Sequence, residues 1–593
     1  MTHEHYAEFI KEAFIQPIRS VLIVDDDFPT YREILETVDA SGAIAPAYRN
    51  KAWRKRQARV ANLIDTFRRF SPPLLVDIHD GENVSAQEEV ATVTHLHQCD
   101  LLVLDYELDR SKPSDGTRAI EILRALMSNK HFNLVVIYTN EDLDIVYDTV
   151  RWGLISPSSD QLSKVEITEA ENLIVEGEDS FEGFDRQLRE TVGSAQYFHS
   201  RKNKNFMGTM IQSKQPYTLY KIQTDKVDWS TEQRKLVLRF LLREVELKNR
   251  VTNNSRNRID DLEWSAEGLK WIKSDSAFVA LAKKTDNTDN LLSDLQKALV
   301  DWNPRPSRLF LTKLRAEIDE YGVAVQGRVL RNYHALAYWY YRLLVDTEDD
   351  ERRWRIRESV SRHSSQLLEG IQPRVEDFAK RLVQAEIASG QPVAICKDHF
   401  RVSLEKEIDK KRAILEHNAF VCSTDPAGWH LTTGHVFTLA EDYWMCLSPA
   451  CDMVPSQIRA RHVRAYGDRL PFIGIQLYKI KDTQIPEDIH SNRYVFLSIG
   501  DKITVFCFDD PKGKAAAPRW QLLFAENRGK LSNDFLFEVT CIQKDIRRLV
   551  AKSQQAEVVS QVRYEYALNL TQKLGVSLTR IGLDFSGGEE VEV

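Results

Sequence analysis

Nowhere in its 593 residues does the chain carry an apolar run approaching the roughly 20 residues that cross a bilayer. Its start, MTHEHYAEFIKEAF, has neither the basic nor the apolar stretch of a secretion signal, so the sequence reads as that of a cytoplasmic protein with no membrane partner. Cysteine is scarce. The seven present (Cys99, Cys396, Cys422, Cys446, Cys451, Cys507 and Cys541) are odd in number and lie mostly in apolar stretches, which suits reduced buried thiols and excludes a disulfide framework. Charge of one sign is also missing: 80 basic against 88 acidic residues, net −8, is not the balance of a protein that coats nucleic acid, local basic patches apart. There is no P-loop, no Rossmann glycine fingerprint, no H-E-x-x-H, no fixed-period repeat and no helix-turn-helix of the usual transcription-factor sort.

What is there exceeds one hydrophobic core, and typical domain sizes give three to four domains. After an N-terminal lead-in helix (1–16), SVLIVDDD is a branched apolar run ending in acids, the pattern of a buried parallel strand. PPLLVDIHD, CDLLVLDYEL and FNLVVIYTN repeat it, with helical spacing in QEEVATVTHLHQ and GTRAIEILRALMS between them. The alternation predicts a flavodoxin-like, doubly wound parallel α/β sheet over 17–165, with an insertion at about 40–72. That insertion includes RNKAWRKRQARVANLIDTFRRF, a basic helix that reads as a solvated face, with an anionic partner such as nucleic acid on Lys51 to Arg69 as the alternative.

Residues 170–410 read as a mainly helical module. STEQRKLVLRFLLREVELKNR opens on a capping-box spacing, Ser230 to Gln233. The stripe Tyr333, Tyr338, Trp339, Tyr340 and Tyr341 reads as core packing rather than a partner surface. Residues 415–593 are a β-rich α+β domain of short strands, ending in the helix VVSQVRYEYALNLTQKLG and an acidic tail, GGEEVEV.

The chemistry gathers where ligands bind in such sheets, at the carboxyl ends of the strands. Asp25 and Asp26 follow the first strand, Asp105 the third, and Thr139 ends the fourth. A phosphoryl group moves onto a carboxylate only where the gathering charge is neutralised, and Mg²⁺ held by hard oxygen ligands does that. Taken singly, each residue could equally be a turn or capping residue.

In this order VLIVDDD, DLLVLDYEL and VVIYTN resemble the three site-bearing strands of response-regulator receiver domains. The resemblance implies Asp105 as phospho-acceptor, and Asp25, Asp26, Asp105 and the backbone carbonyl of Tyr106 as ligands of Mg²⁺. It further implies Thr139 as the switch hydroxyl and Gly116 as the glycine before the next helix. The family also keeps a phosphate-pairing lysine after a fifth strand; no lysine-proline step occurs here, and Lys164 in QLSKVEI is the candidate at about the right distance. The long insert and the large appended region resemble the divergent receivers encoded beside histidine-kinase-like ATPases in bacterial anti-phage loci of the Detocs type.

In the C-terminal part, His430, His435, Cys446 and Cys451, with Cys422 just before, crowd together, but their spacing is not that of structural zinc, which prefers close pairs. Cys451 with His435 or His430 and Asp452 is the corresponding thiol-nucleophile set, without a local signature for that chemistry. The sequence therefore points to a signalling protein that takes a phosphoryl group onto Asp105 from a partner histidine kinase of the GHKL ATPase class, as an acceptor rather than a turnover enzyme. Two readings stand beside it: a non-phosphorylated pseudo-receiver serving as a scaffold, and a receiver-controlled effector enzyme housed in the C-terminal domain.

Overall fold

The computed structural model describes residues 4–29, 57–81, 99–109, 111–112, 114–128, 132–249, 259, 261–265, 268–284, 290–325, 331, 333–345, 348–454, 460–480, 489–491, 493–509 and 518–578. Its chain divides into two compact units, Met1–Ala316 and Glu317–Val593. No helix among the described residues is long and apolar enough to cross a membrane.

The first unit is built on four parallel strands, β1 (Ser20–Val24), β2 (Leu75–His79), β3 (Leu101–Leu104) and β4 (Asn133–Thr139). β1, β3 and β4 are continuous apolar runs because both faces of a parallel sheet are covered. Every residue of β3 and β4 is buried. A helix over Thr117–Met127 turns Ala119, Ile120, Leu123 and Met127 inward, and another over Leu143–Leu154 is capped by Asp142, which accepts from the backbone N–H groups of Asp144 and Ile145.

The sheet does not end there. β5 (Glu263–Trp264), β6 (Trp271–Lys273) and β7 (Ala277–Lys283) extend it in the order β2-β1-β3-β4-β7-β6-β5. β7 runs parallel to β4 in the register Asn133↔Ala277 to Thr139↔Lys283, while β6 and β5 add on antiparallel. The fifth parallel strand of the sheet thus lies more than 100 residues beyond a boundary drawn at 165. Between them stand helices at Lys164–Ser180, Phe184–Glu190, Ser194–Lys202, Phe206–Ile211, Thr218–Thr224 and Thr231–Asn249. Their buried residues, among them Tyr217, Tyr220, Val237 and Leu238, belong to the same apolar cluster as Leu104 and Ile137 of the sheet. This insertion therefore shares the sheet's core, and the helical module expected from 170 splits: its first part packs into the unit built on this sheet.

The predicted capping box is present, Gln233 N–H donating to Ser230 Oγ and Ser230 N–H to Gln233 Oε1. The lead-in helix, Glu4–Ile10 followed by a π turn over Lys11–Ile15, is tied to the unit by Tyr6, whose hydroxyl donates to Pro304 O at 2.8 Å. Of the early insertion, the helix Gln57–Arg68 is described. The rest of 40–72 apart from 69–72, the helix expected at 87–98 and the acidic tail lie outside the described residues.

The second unit opens on helices. Tyr333–Leu344 has no buried residue, and Tyr333, Tyr338, Tyr340 and Tyr341 are all more than half exposed. The aromatic stripe is not core packing: the spacing was that of an apolar helical face, but its four tyrosines stand open, while Trp339 donates its Nε1–H to Ser359 Oγ beside the His363 ring. A helix over Asp349–Ser389 buries Ile371, Val375, Phe378 and Leu382. The β-rich domain follows, with β8 (Ser423–Thr424), β9 (His435–Leu439), β10 (Asp442–Cys446), β11 (Leu470–Lys479), β12 (Tyr494–Ile499), β13 (Lys502–Cys507), β14 (Trp520–Ala525), β15 (Leu536–Asp545) and β16 (Arg548–Val562). Strands β10-β9-β16-β15-β14-β11 pair in sequence, and β11 pairs back to β10, closing a six-stranded barrel. Closure removes the free edges of the sheet. Its interior is filled by Phe437, Phe472, Phe537, Trp444, Leu523 and Cys541, with the Phe437 ring edge-on to the other two phenyl rings. The helices Glu407–Cys422 and Tyr564–Leu578 contribute Ala419, Ala567, Leu570 and Leu574 to a second apolar layer over β12 and β13.

Candidate phosphoryl-acceptor site

Register brings the site together. Asp25 N–H donates to His79 O, Asp105 N–H to Val24 O and Lys284 N–H to Thr139 O, so the first residue past each of β1, β3 and β7 stays in ladder and lies at one edge of the sheet. In the strand order β1-β3-β4-β7, Asp105 stands between Asp25 and Thr139, and Lys284 comes last. The Lys284 ammonium reaches back across this edge, donating to Asp105 Oδ2 at 2.6 Å and Asp25 Oδ2 at 2.9 Å. All three side chains are under 10% exposed, Lys284 at 7%, Asp25 at 6% and Asp105 at 8%. Charged groups are kept this dry only when paired.

The remaining carboxylate oxygens are spent locally. Asp25 Oδ1 accepts from Asp27 N–H at 2.9 Å, a turn contact that fixes the acidic pair. Thr139 is fully buried, and its Oγ1 accepts from Glu141 N–H at 3.1 Å, leaving the hydroxyl hydrogen for another acceptor. Lys283, one residue before the bridging lysine, donates its ammonium to Asn140 O at 2.6 Å and Glu141 O at 2.8 Å, pinning the loop that follows Thr139. Tyr106 turns its ring inward under Gly116: a Cβ at 116 would stand 2.0 Å from the Tyr106 ring, so that position admits only glycine.

The Lys284 ammonium is shared between Asp105 and Asp25, with Asp26 close by, and this crowding appears in the titration of Asp105. Burial first, then the neighbouring Asp25, push its carboxyl up to about 7, against the pull of Lys284. Burial drags Lys284 down, but Asp25 and Asp105 outweigh it and hold the ammonium above its ordinary value. Among the described residues, Asp25, Asp26 and Asp105 are the one group of three or more potential ligands whose binding atoms all come within 4.8 Å of one another. Hard oxygen donors gathered this closely are a set that a divalent cation such as Mg²⁺ fits.

Lys164 is not part of this arrangement. It is exposed at the start of the helix Lys164–Ser180, just after the N-cap Ser163, and the lysine in contact with Asp105 is Lys284. Sequence spacing missed Lys284 because the fifth strand follows an insertion. The signal was nonetheless present: AFVALAKK is an apolar run ending in charge, as SVLIVDD is.

The C-terminal histidines and cysteines do not assemble into a metal or nucleophile set among the described residues. His435 is fully buried and neutral, its Nε2–H donating to Ala427 O while Nδ1 accepts from Thr432 N–H, and burial pushes it down to about 4. His430 donates from Nδ1 to Leu431 O. Burial raises the thiol of Cys446 to about 12 and that of Cys422 to about 11, the inert rather than the reactive direction. Cys451 is exposed beside Asp452.

Residues 17–184 match the family model of the response receiver domain. The match covers the strands bearing Asp25, Asp26, Asp105 and Thr139 and stops short of β7 and Lys284. No curated protein and no solved structure gives a match to the chain. The N-terminal unit is therefore a receiver fold, and the signalling role it supports is of the response-regulator type.

Proposed function

We propose that Asp105 accepts a phosphoryl group from a phosphohistidine of a partner kinase of the GHKL ATPase class, and that Lys284 is the lysine that pairs with the phosphate. The observation that carries this reading is the Lys284 ammonium bridging Asp105 and Asp25. The same bridge favours this reading over a pseudo-receiver that is not phosphorylated.

In the transfer, an Oδ atom of Asp105 attacks phosphorus as the bond to the donor nitrogen breaks and the donor imidazole keeps the electron pair. Bound Mg²⁺, held by the carboxylates of Asp25, Asp26 and Asp105 and the carbonyl of Tyr106, would neutralise charge on the phosphoryl oxygens. Lys284 is already desolvated and aimed at Asp105, so it meets the arriving oxygens without reorganisation. The product adds a doubly charged group at the sheet edge. That group competes with Asp25 for Lys284 and offers an acceptor to the Thr139 hydroxyl; Lys284, at the end of β7, donates its N–H to Thr139 O, beside the 139–141 loop that Lys283 holds. Strain at β7 passes into the helical insertion, whose core it shares. The layout of a receiver with a long insert and appended domains supports an anti-phage setting for this switch.

The test is intact-mass spectrometry after incubation with acetyl phosphate and Mg²⁺. The wild type gains one phosphoryl mass that hydroxylamine removes, and Asp105→Asn gains none. Labelling that persists in Asp105→Asn refutes the assignment.

A further inference from the structure

β15 and β16 form a hairpin that outruns the barrel. β15 pairs with β14 only at Val539 and Thr540, and β16 pairs with β9 only from Ala556 onward, yet the two strands stay in register with each other from Leu536↔Glu557 to Asp545↔Arg548. Residues from Ile542 to Asp545 and from Arg548 to Ala551 therefore make a two-stranded arm about 14 Å long at the usual strand rise, with Lys552 at its foot opposite the buried Cys541. A two-residue turn, Ile546–Arg547, closes it.

Its composition is unlike that of the barrel from which it projects. Lys544, Arg547, Arg548 and Lys552 are exposed, and none has an ion-pair partner among the described residues. Asp545 is the arm's one acid. Beside these cations, Ile546 is 86% exposed, Leu549 73% and Ile542 45%. Ile546 also sits at φ +45°, a backbone conformation that turns normally fill with glycine or asparagine and that a β-branched residue adopts only under strain. A tip selected for folding alone would not place isoleucine there.

We infer that this arm binds double-stranded DNA, its four cations on phosphates and Ile546 as an apolar wedge at a base step. Two-stranded ribbons dock in the grooves of duplex DNA, and those that enter the minor groove commonly insert an aliphatic side chain between bases. Charge disfavours an arm-to-arm contact with a second copy, since two arms of net positive charge repel. A membrane suits the arm less well, because Ile542 and Leu549 lie along one side of the ribbon rather than at its end, and Asp545 flanks the tip. The inference is independent of the phospho-acceptor reading.

Fluorescence anisotropy of the full chain with a labelled 20-base-pair duplex tests it. Four phosphate contacts predict a slope of log affinity against log salt near −3.6, that is, about a 10²-fold loss between 50 and 200 mM salt. The fourfold variant Lys544→Gln, Arg547→Gln, Arg548→Gln, Lys552→Gln loses about 10²-fold in affinity at the lower salt, and its slope flattens. Ile546→Ser loses about tenfold with the slope unchanged, and both variants keep the wild-type melting temperature because the arm is exposed. The inference is overturned if the wild type does not bind the duplex at the lower salt. It is equally overturned if the fourfold variant binds as the wild type does, if Arg54→Gln, Lys55→Gln, Arg56→Gln removes binding instead, or if phosphatidylserine vesicles are bound and the duplex is not.

Discussion

The receiver sheet and the C-terminal barrel use charge in opposite ways. In the sheet, Asp25, Asp105 and Lys284 are drawn out of water and held against one another at the strand ends. In the barrel the interior is closed and apolar around Phe437, and the unpaired cations stand outside on the β15–β16 arm. An open parallel sheet leaves a crevice at its carboxyl edge where chemistry can be held, whereas a small barrel packed with side chains leaves only its rim and its projections. The difference teaches where to look for function in each unit.

The largest effect that would sharpen this contrast is Phe437→Ala. Emptying the middle of the barrel costs about 4 kcal/mol, read as a shift of its urea unfolding transition, while acetyl-phosphate labelling of Asp105 stays at the wild-type level where the barrel is still folded. Labelling lost together with the barrel would break the division. In the receiver, Gly116→Ala drives a methyl group into the buried Tyr106 ring and costs about 3 kcal/mol by the same measurement. A neutral result would mean that the Tyr106 ring has another place to go.

The next effects belong to the charged edge. With EDTA present, the Asp105 carboxyl, raised to about 7 by burial and then by Asp25, holds a proton in the folded chain where the unfolded one, with its ordinary value of 3.8, has lost it. A raised folded value contributes stability that is full below about pH 4 and is lost as pH rises through about 7. Thermal melts of the wild type should therefore fall relative to those of Asp105→Asn across that window, and parallel profiles would contradict the electrostatics. Adding Mg²⁺ at ten times its dissociation constant should restore about 1.4 kcal/mol to the wild type and almost nothing to Asp25→Asn. The smallest effect is at Lys164, where Lys164→Ala should change stability by less than about 0.5 kcal/mol, as an exposed substitution does.

Much of the acidic half of the site was legible, because a strand buried on both faces writes itself as an unbroken apolar run and its end shows as the first charge. Asp25 and Asp105 are such ends, and Thr139 closes a run of the same kind with a hydroxyl. Lys284 was not, since helices packing into the same core separate β7 from β4, and a reading that expects the fifth strand at the usual distance settles on Lys164. The exposed tyrosines of Tyr333–Leu344 were misread for a different reason: helical periodicity reports a face, not whether anything covers it. The barrel's strands were visible as β-rich stretches, but its closure depends on β11 returning to β10, a pairing that local pattern does not encode.

The most direct measurement compares the rate of acetyl-phosphate labelling of Asp105 in the wild type, Lys284→Ala and Lys164→Ala, each confirmed folded by circular dichroism. Lys284→Ala should be slower by about 10²-fold, the scale of removing one preorganised charge partner, and Lys164→Ala should match the wild type. Undiminished labelling in Lys284→Ala, or a loss in Lys164→Ala instead, would contradict the assignment of the site.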